Sequence, residues 1–291
     1  MEFAQFLTYG IINGAIYALV AIGLALIMGI MGIFNLAQGS LAMLAAYASF
    51  FLFQRWGLDP FLSLALTMPA GFLCGLLLHK GLFEWMSGYA PGQKLRNSML
   101  VAFGLVLVIE NIATVLWTAN ERCVTTAYSG AVVSVEGLRV PYTGLAAVGL
   151  SMVVIFGLHF FLKRTLFGKS LWAISQDHQT ANLMGINVRR TTLISFGLGV
   201  ALSAAAGAVI SLYTVSPAVG LDWTNKALIL VVLAGVGSIK GIFYSGLLLG
   251  IVEVLSVYFV GVHYTGVAGL VIFILVLMFR PQGLFGKRAG A

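Results

Sequence analysis

The sequence predicts an all-α, polytopic helical membrane protein with about eight to nine transmembrane helices and a short cytoplasmic helix. Three observations carry the fold class. Hydrophobic residues make up 60% of the 291 and charged residues only 9%, against roughly 25% charged in soluble domains. Mean hydropathy is +1.02. Apolar runs of about 20 residues, enough to cross roughly 30 Å of hydrocarbon, recur along the whole chain. A β-barrel would instead alternate with period two in segments of about ten residues.

Nine segments follow in order, at 6–29, 36–54, 60–79, 98–118, 142–162, 191–213, 226–239, 241–261 and 265–280. The first lacks a basic leader and is too long for a signal-peptide core, so it reads as a retained helix. The stretches 226–239 and 265–280 are short, and a re-entrant 226–239 would leave eight spans. Many of the 35 glycines lie inside apolar runs. Small residues such as those of Ala201–Ala208 let membrane helices approach closely.

The basic residues orient the chain. With the polar stretch 163–190 placed in the cytoplasm, Lys80, Lys94, Arg96, Lys163, Arg164, Lys169, Arg189, Arg190, Lys240, Arg280, Lys287 and Arg288 fall inside. Arg55, Arg122, Arg139 and Lys226 fall outside, a bias of twelve to four. Positive-inside topology then predicts an outside N-terminus and a cytoplasmic C-terminus. The same bias accounts for the net charge of +7, so no nucleic-acid partner is expected. Cys74 and Cys123 suggest neither a disulfide framework nor a metal site.

The longest outer loop, 119–141, carries Glu121, Arg122, Glu136, Arg139 and Pro141, and alternation over Ala131–Val140 suggests a small hairpin. It reads as a solvated connector, with a lid or a partner contact as the alternative. Gly29-Ile-Met-Gly32-Ile-Phe34 recurs loosely as Ser238-Ile-Lys-Gly241-Ile-Phe243. Interrupted helices at matching places in two halves point toward transporter architecture.

Catalytic chemistry is missing. Gly168-Lys169-Ser170 ends like a phosphate loop, but Lys163 stands where such a loop needs glycine. No HExxH, CxxC or GxSxG occurs, and His79, His159, His178 and His263 are scattered. No enzyme activity, cofactor or metal is expected of this chain. If transport is driven by ATP, another chain must supply the ATPase.

Few polar residues interrupt the apolar segments. Glu110 and Asn111 sit midway along the fourth, Glu253 midway along the eighth and Asn13 in the first. Ionisable groups in hydrocarbon cost about 2.5–3.5 kcal/mol or more and face the bundle interior or a water-filled path. Two readings stay open: a substrate path, or structural hydrogen bonding. Asn35 and Gln38 break the first apolar hairpin, either to bind a substrate group, to hold unwound backbone, or to cap a turn.

Within 163–190, Lys169–Met184 reads as one helix of roughly 24 Å between Gly168 and Gly185. Asp177, Ala181 and Met184 share a face at i, i+4, i+7, and Gly185 is a fitting C-cap. A helix lying across the cytoplasmic ends of membrane segments can transmit force from a soluble motor.

The pattern Ala173-x-x-Gln176-Asp177-x-x-x-Ala181-x-Leu183-x-Gly185-Ile186-Asn187-x-x-Arg190 resembles the coupling loop of branched-chain amino acid ABC transporter permeases. Asn13-Gly-Ala-x-Tyr17-Ala-Leu-x-Ala-x-Gly23 is similar to the family's first helix, and Gly29–Gly39 to its following Asn-Phe-Ala-His-Gly motif. Gly235-Val-Gly237-Ser238-Ile-x-Gly241, Gly250-Ile-x-Glu253 and Arg280-Pro281-x-Gly283-Leu284-Phe285-Gly286 continue the likeness. The sequence departs at Gln38, where the family usually has His, and at Leu36, where it has Phe. Gln38 keeps hydrogen bonding and removes a titratable group.

The resemblance, to the first permease subunit type, implies a single transmembrane permease domain over 1–291 with a coupling loop at 163–190. Ala173, Gln176, Asp177, Ala181, Met184 and Gly185 would face the ATPase. It further implies a second related permease, two cytoplasmic ATPases that use ATP and Mg, an external solute-binding protein and a bacterial inner membrane. The substrate would be a branched-chain or other small amino acid. Related systems carry urea, short amides or aromatic acids. Two other classes compete: a secondary transporter with Glu110 and Glu253 as ion sites, and an intramembrane enzyme. A motor-docking helix favours the importer, the shortage of membrane acids weakens the secondary transporter, and the lack of a catalytic constellation weakens the enzyme.

Overall fold

A computed structural model describes residues 2–89, 91–135, 138–261 and 265–286. Lys287 and Arg288, expected inside, and His263 and Glu136 lie outside the described residues. The helices are α1 (Glu2–Met31), α2 (Gln38–Trp56), α3 (Pro60–Leu78), α4 (Pro91–Trp117), α5 (Tyr142–Arg164), α6 (Leu166–Gln176), α7 (His178–Leu183), α8 (Val188–Ile210), α9 (Val219–Ala234), α10 (Ile239–Phe259) and α11 (Thr265–Phe279). A π turn (His79–Phe83) and a 3-10 turn (Glu84–Gly88) prolong α3.

Six of the nine expected segments are helices long and apolar enough to cross a bilayer on their own, among the described residues. They are α1, α3, α4, α5, α8 and α10. The other three expected segments are α2, with 19 residues and several polar side chains, α9 with 16 and α11 with 15. At 1.5 Å per residue, α9 and α11 span about 22–24 Å, short of the hydrocarbon thickness. The seventh segment also starts earlier than expected. Asp222 and Lys226 interrupt the apolar run, yet both lie inside α9.

Burial sorts the helices into two layers. The apolar stretches of α1 and α8 are 83% buried, those of α3 and α4 only 17%. α1 and α8 therefore form the centre, with α2, α9 and α10 packed on them. α3, α4, α5 and α11 turn rows of leucine, valine and phenylalanine outward. Apolar side chains facing lipid cost nothing, so this inversion of the soluble pattern is physically reasonable.

The central contact is glycine against glycine. Gly10 and Gly14 on α1 meet Gly246 and Gly250 on α10. A Cβ on Gly14 would stand 2.5 Å from the Gly246 carbonyl oxygen, and one on Gly246 2.6 Å from that of Gly14. Only hydrogen fits between the backbones, which is how small residues replace the missing hydrophobic drive in lipid.

At the end holding the start of α1, the loop between α4 and α5 packs onto the helices. The expected hairpin is present, with β1 (Val132–Val135) antiparallel to β2 (Leu138–Pro141). Gln5 accepts from the Arg139 N–H at 2.8 Å. Arg122 and Val215 exchange backbone hydrogen bonds at 2.9 and 2.7 Å. The Tyr128 hydroxyl donates to Asp59 at 2.5 Å. Burial, with that bond to Asp59, pushes the phenol up to about 12.

The glycine-rich repeat of the sequence is not a repeated structural role. Gly29-to-Phe34 ends α1, while Ser238 starts α10 by accepting from the Gly241 N–H at 3.2 Å. The two breaks do meet: a Cβ on Gly29 would lie 3.0 Å from Gly237 Cα. The C-terminal motif closes the same end. Leu284 and Phe285 donate backbone N–H groups to Leu233 and Ala234 at 2.8 and 3.2 Å, satisfying carbonyls that the end of α9 leaves free.

Gly14→Val should lower the unfolding midpoint of the purified protein, the overpacking costing about 1–3 kcal/mol. Gly104→Val, on an open face of α4, should stay within about 0.5 kcal/mol. Equal midpoints for the two variants in a detergent melt would contradict this packing.

Candidate functional site

After Met31 the chain leaves helical geometry and does not leave the protein. Ile33, Asn35 and Ala37 are buried, and α2 begins deep in the bundle. Its first residue, Gln38, donates to the Gly199 carbonyl of α8 at 3.1 Å and contacts the Ser203 hydroxyl. Asn35 donates to Gln38 Oε1 at 3.2 Å and accepts from the Ala37 N–H at 3.1 Å. Thr224 of α9 accepts from the Gly39 N–H at 2.9 Å and reaches the Leu36 carbonyl at 2.9 Å. Ser98 of α4 accepts from the Phe34 N–H at 3.0 Å. Asn35 and Gln38 thus bind unwound backbone and neighbouring helices. Gly23 and Gly39 leave the room for these approaches.

Glu110 lies one turn further along this seam. Its carboxylate accepts from the Ser40 hydroxyl at 3.3 Å and would stand 3.1 Å from a Cβ on Gly220. Ser40 is in the first turn of α2 and Gly220 in the first turn of α9. Two helix N-termini therefore converge on one half-buried carboxylate, and each carries partial positive charge that favours an anion. Asn111, the next residue, does not join. It is exposed, and its amide donates to the Leu107 carbonyl at 2.7 Å.

Glu253 has a different solution. Lys226 Nζ donates to Glu253 Oε2 at 2.9 Å and to the Tyr17 hydroxyl at 2.6 Å, and Tyr17 donates to the same carboxylate oxygen at 2.7 Å. Glu253 is 3% exposed. The ammonium also stands 4.0 Å from the Tyr17 ring centroid, and Trp223 packs edge-on to that ring. Lys226 was expected at the outer end of the seventh segment; it lies within α9 as the countercharge of a buried acid, because α9 begins seven residues before it. Asn13, half-buried one turn before Tyr17, is outside this cluster. Sequence reading missed Tyr17, Lys226, Ser40 and Thr224 as members of the polar core. A lysine within an α-helical period of an apolar run was the available signal for Lys226.

The expected single helix over Lys169–Met184 is two helices. Asp177 breaks it, with extended φ −154° and ψ 115°. Its carboxylate accepts from the Gln179 N–H at 2.8 Å and the Thr180 hydroxyl at 2.5 Å, capping α7. The Thr180 hydroxyl and these backbone bonds hold the Asp177 carboxyl below its usual range. Short acidic side chains compete with helix backbone in this way. At the far end, Gly185 takes φ +82°. Gly185 N–H reaches the Asn182 carbonyl at 3.0 Å and Ile186 N–H the Ala181 carbonyl at 3.1 Å, the paired bonds of a Schellman C-cap.

Ala181 is buried inside this turn and Ala173 is half-buried, while Gln176, Met184 and Gly185 are exposed. Leu183 and Met184 stand 86% and 78% exposed at the tip. α6 is amphipathic, with Gly168, Leu171 and Ile174 facing the bundle. No group of three His, Cys, Asp or Glu able to hold a metal occurs among the described residues.

Buried polar groups threaded through long apolar helices, beside backbone held unwound by side chains, define the class: a multi-pass helical membrane protein. A family model described as branched-chain amino acid transport system, permease component, matches residues 6–279, from α1 to the end of α11. The chain belongs to that family of ABC-system transport subunits. It is 30% identical to the high-affinity branched-chain amino acid transport system permease protein BraD of Pseudomonas aeruginosa, over 98% of this chain and 96% of the relative. It is 28% identical to LivH of the same description from Salmonella typhimurium and from Escherichia coli, each over 99% of this chain and 96% of the relative. No solved structure matches.

Lys226→Met alone should destabilise the protein by about 3–5 kcal/mol, because it strands the Glu253 carboxylate. Adding Glu253→Leu should recover most of the loss. Unfolding of the single and double variants measures the coupling, and additive losses would mean the pair is not coupled.

Proposed function

We propose that this chain is a permease subunit of an ATP-driven importer that carries branched-chain or other small amino acids across a bacterial inner membrane. The observation that carries the reading is the end-to-end likeness to permeases named for branched-chain amino acid transport. An importer of this design pairs the chain with a second, related permease, two ATPases that use ATP and Mg, and an external solute-binding protein. The ATP chemistry belongs to the partners, and this chain needs no cofactor of its own.

The segment 163–190 is read as the motor dock, on the cytoplasmic side. Leu183 and Met184 offer an apolar contact, and Asp177, Ala173, Ala181 and Gly185 give it a fixed shape. Arg139 lies beside the start of α1 and Lys80, Lys94 and Arg189 gather near α7. That distribution supports an outside N-terminus and a cytoplasmic C-terminus under the positive-inside rule. Asn13, Asn35, Gln38, Glu110, Asn111 and Glu253 were candidates for the substrate path. Of these, Glu110 is the one we retain: it is half-buried and its partners are a hydroxyl and helix termini. Asn35, Gln38 and Glu253 are already closed on protein groups and Asn111 faces outward. A related cargo, such as urea, a short amide or an aromatic acid, is the second reading.

Leu183→Glu with Met184→Glu should cut leucine uptake by the reconstituted complex roughly ten-fold or more, as loss of a central apolar contact does. The permease pair should remain assembled. Normal uptake in this variant would remove the docking role of the tip. Glu110→Gln should slow uptake without changing assembly, measured as initial rates in proteoliposomes. An unchanged rate and substrate range would make Glu110 structural.

A further inference from the structure

The largest described cavity is not in the polar seam. It is a cleft of about 1040 Å³ at the end of the bundle that holds α7. Its walls come from the turns after α3 (Lys80, Glu84, Trp85), the start of α4 (Lys94), and the α7–α8 segment (His178, Asn182, Arg189). A smaller cavity of about 300 Å³ shares Lys80 and Arg189 and adds Arg190.

The charge of this cleft is unbalanced. Glu84 is its one carboxylate, and Arg189 pairs with it. Among the described residues no carboxylate forms a salt bridge with Lys80, Lys94 or Arg190. Lys94 is half-buried, so its ammonium is partly withheld from water without a countercharge. Burial and the nearby Lys94 hold the His178 imidazole below its ordinary value, with Asp177 opposing, so His178 adds donors rather than charge at neutral pH. The cleft also sits where membrane spans end. Trp85 is 54% exposed and packs edge-on against exposed Tyr89 at 5.6 Å. Amphipathic rings of this kind settle at headgroup level.

We propose that this cleft binds the headgroup of an anionic phospholipid. Lys80 and Lys94 would hold the phosphate, Asn182 and His178 the glycerol hydroxyls, and Trp85 would lie along the upper acyl chains. Basic pockets between membrane helices recognise such headgroups through charge and donors together. Because one wall is α3–α4 and the other α7–α8, a bound lipid ties the membrane-embedded layer to the segment carrying Leu183. Leu183 and Met184 do not line the cleft, although Gly185 of the same turn does. The inference needs the membrane reading alone and is independent of the cargo.

The test is native mass spectrometry of the full-length permease, purified in mild detergent and titrated with phosphatidylglycerol or phosphatidylcholine. The wild type should retain phosphatidylglycerol selectively. Lys80→Gln with Lys94→Gln should weaken that retention roughly ten-fold or more, and Lys80→Arg with Lys94→Arg should restore it. Lys163→Gln with Lys240→Gln, an equal charge loss outside the cleft, should leave it intact. Equal retention of the two lipids by the wild type overturns the proposal without any variant. Unaltered phosphatidylglycerol retention in the glutamine variant also overturns it. If that variant keeps its lipid and instead loses co-purification with the ATPase, the cleft is a protein contact and the lipid assignment is wrong.

Discussion

A backbone amide buried in hydrocarbon has no water to bond, so non-helical chain inside a membrane protein must find every partner in the protein itself. In the segment 32–37, the N–H groups of Gly32, Phe34 and Ala37 and the carbonyls of Asn35 and Leu36 find such partners. Gln38, Asn35, Thr224 and Ser98 hold it to α8, α9 and α4. Those bonds place the first turn of α2 deep in the bundle, beside the first turn of α9. The glycines at 23 and 39 are the steric condition, because a methyl group at either would occupy the space of a bonding atom, and Gly199 makes room for the Ile27 side chain of α1. The convergence of helix ends on Glu110 is then a consequence of the break.

Two carboxylates in one apolar bundle are stabilised by different physics. Glu253 is neutralised at contact range by Lys226 and by a tyrosine hydroxyl. Glu110 has a hydroxyl and two oriented helix termini, which lend fractional charge without consuming the group. A buried pair such as Lys226–Glu253 adds little net stability but is costly to break, so its natural role is to fix α9 against α1 and α10. That argues against Glu253 as a mobile ion site and leaves the self-contained transporter with one intramembrane acid rather than two.

The segment between α5 and α8 divides its labour along its length. α6 lies on the bundle by its apolar face. α7 stands beyond Asp177 as a short capped helix whose tip is apolar and exposed. The Arg189–Glu84 ion pair ties the start of α8, just past α7, to the end of α3. A short helix fixed at both caps moves as a rigid piece, which suits transmission of force between a membrane layer and whatever grips the tip.

Much of this was legible in the chain alone. Hydropathy period and length determined the apolar helices, since a bilayer demands roughly 20 apolar residues whatever the neighbours are. Alternation over Ala131–Val140 was enough to expect the hairpin, and Gly185 was readable as a cap because few residues tolerate positive φ. Burial, pairing and helix interruption were not readable, because they depend on residues far apart in sequence. Lys226 resembled the outer end of a segment until Glu253, 27 positions away, supplied its countercharge. Asp177 resembled the middle of a helix because local periodicity does not register a side chain capping its own backbone. For Asn35 and Gln38 the sequence left substrate binding, unwound backbone and capping open, and their bonds to each other, to α8 and to the break depend on residues far away in the chain. Local hydrophobicity thus decided which segments enter the membrane; tertiary contacts alone decided which polar groups were already satisfied and which stayed free to act.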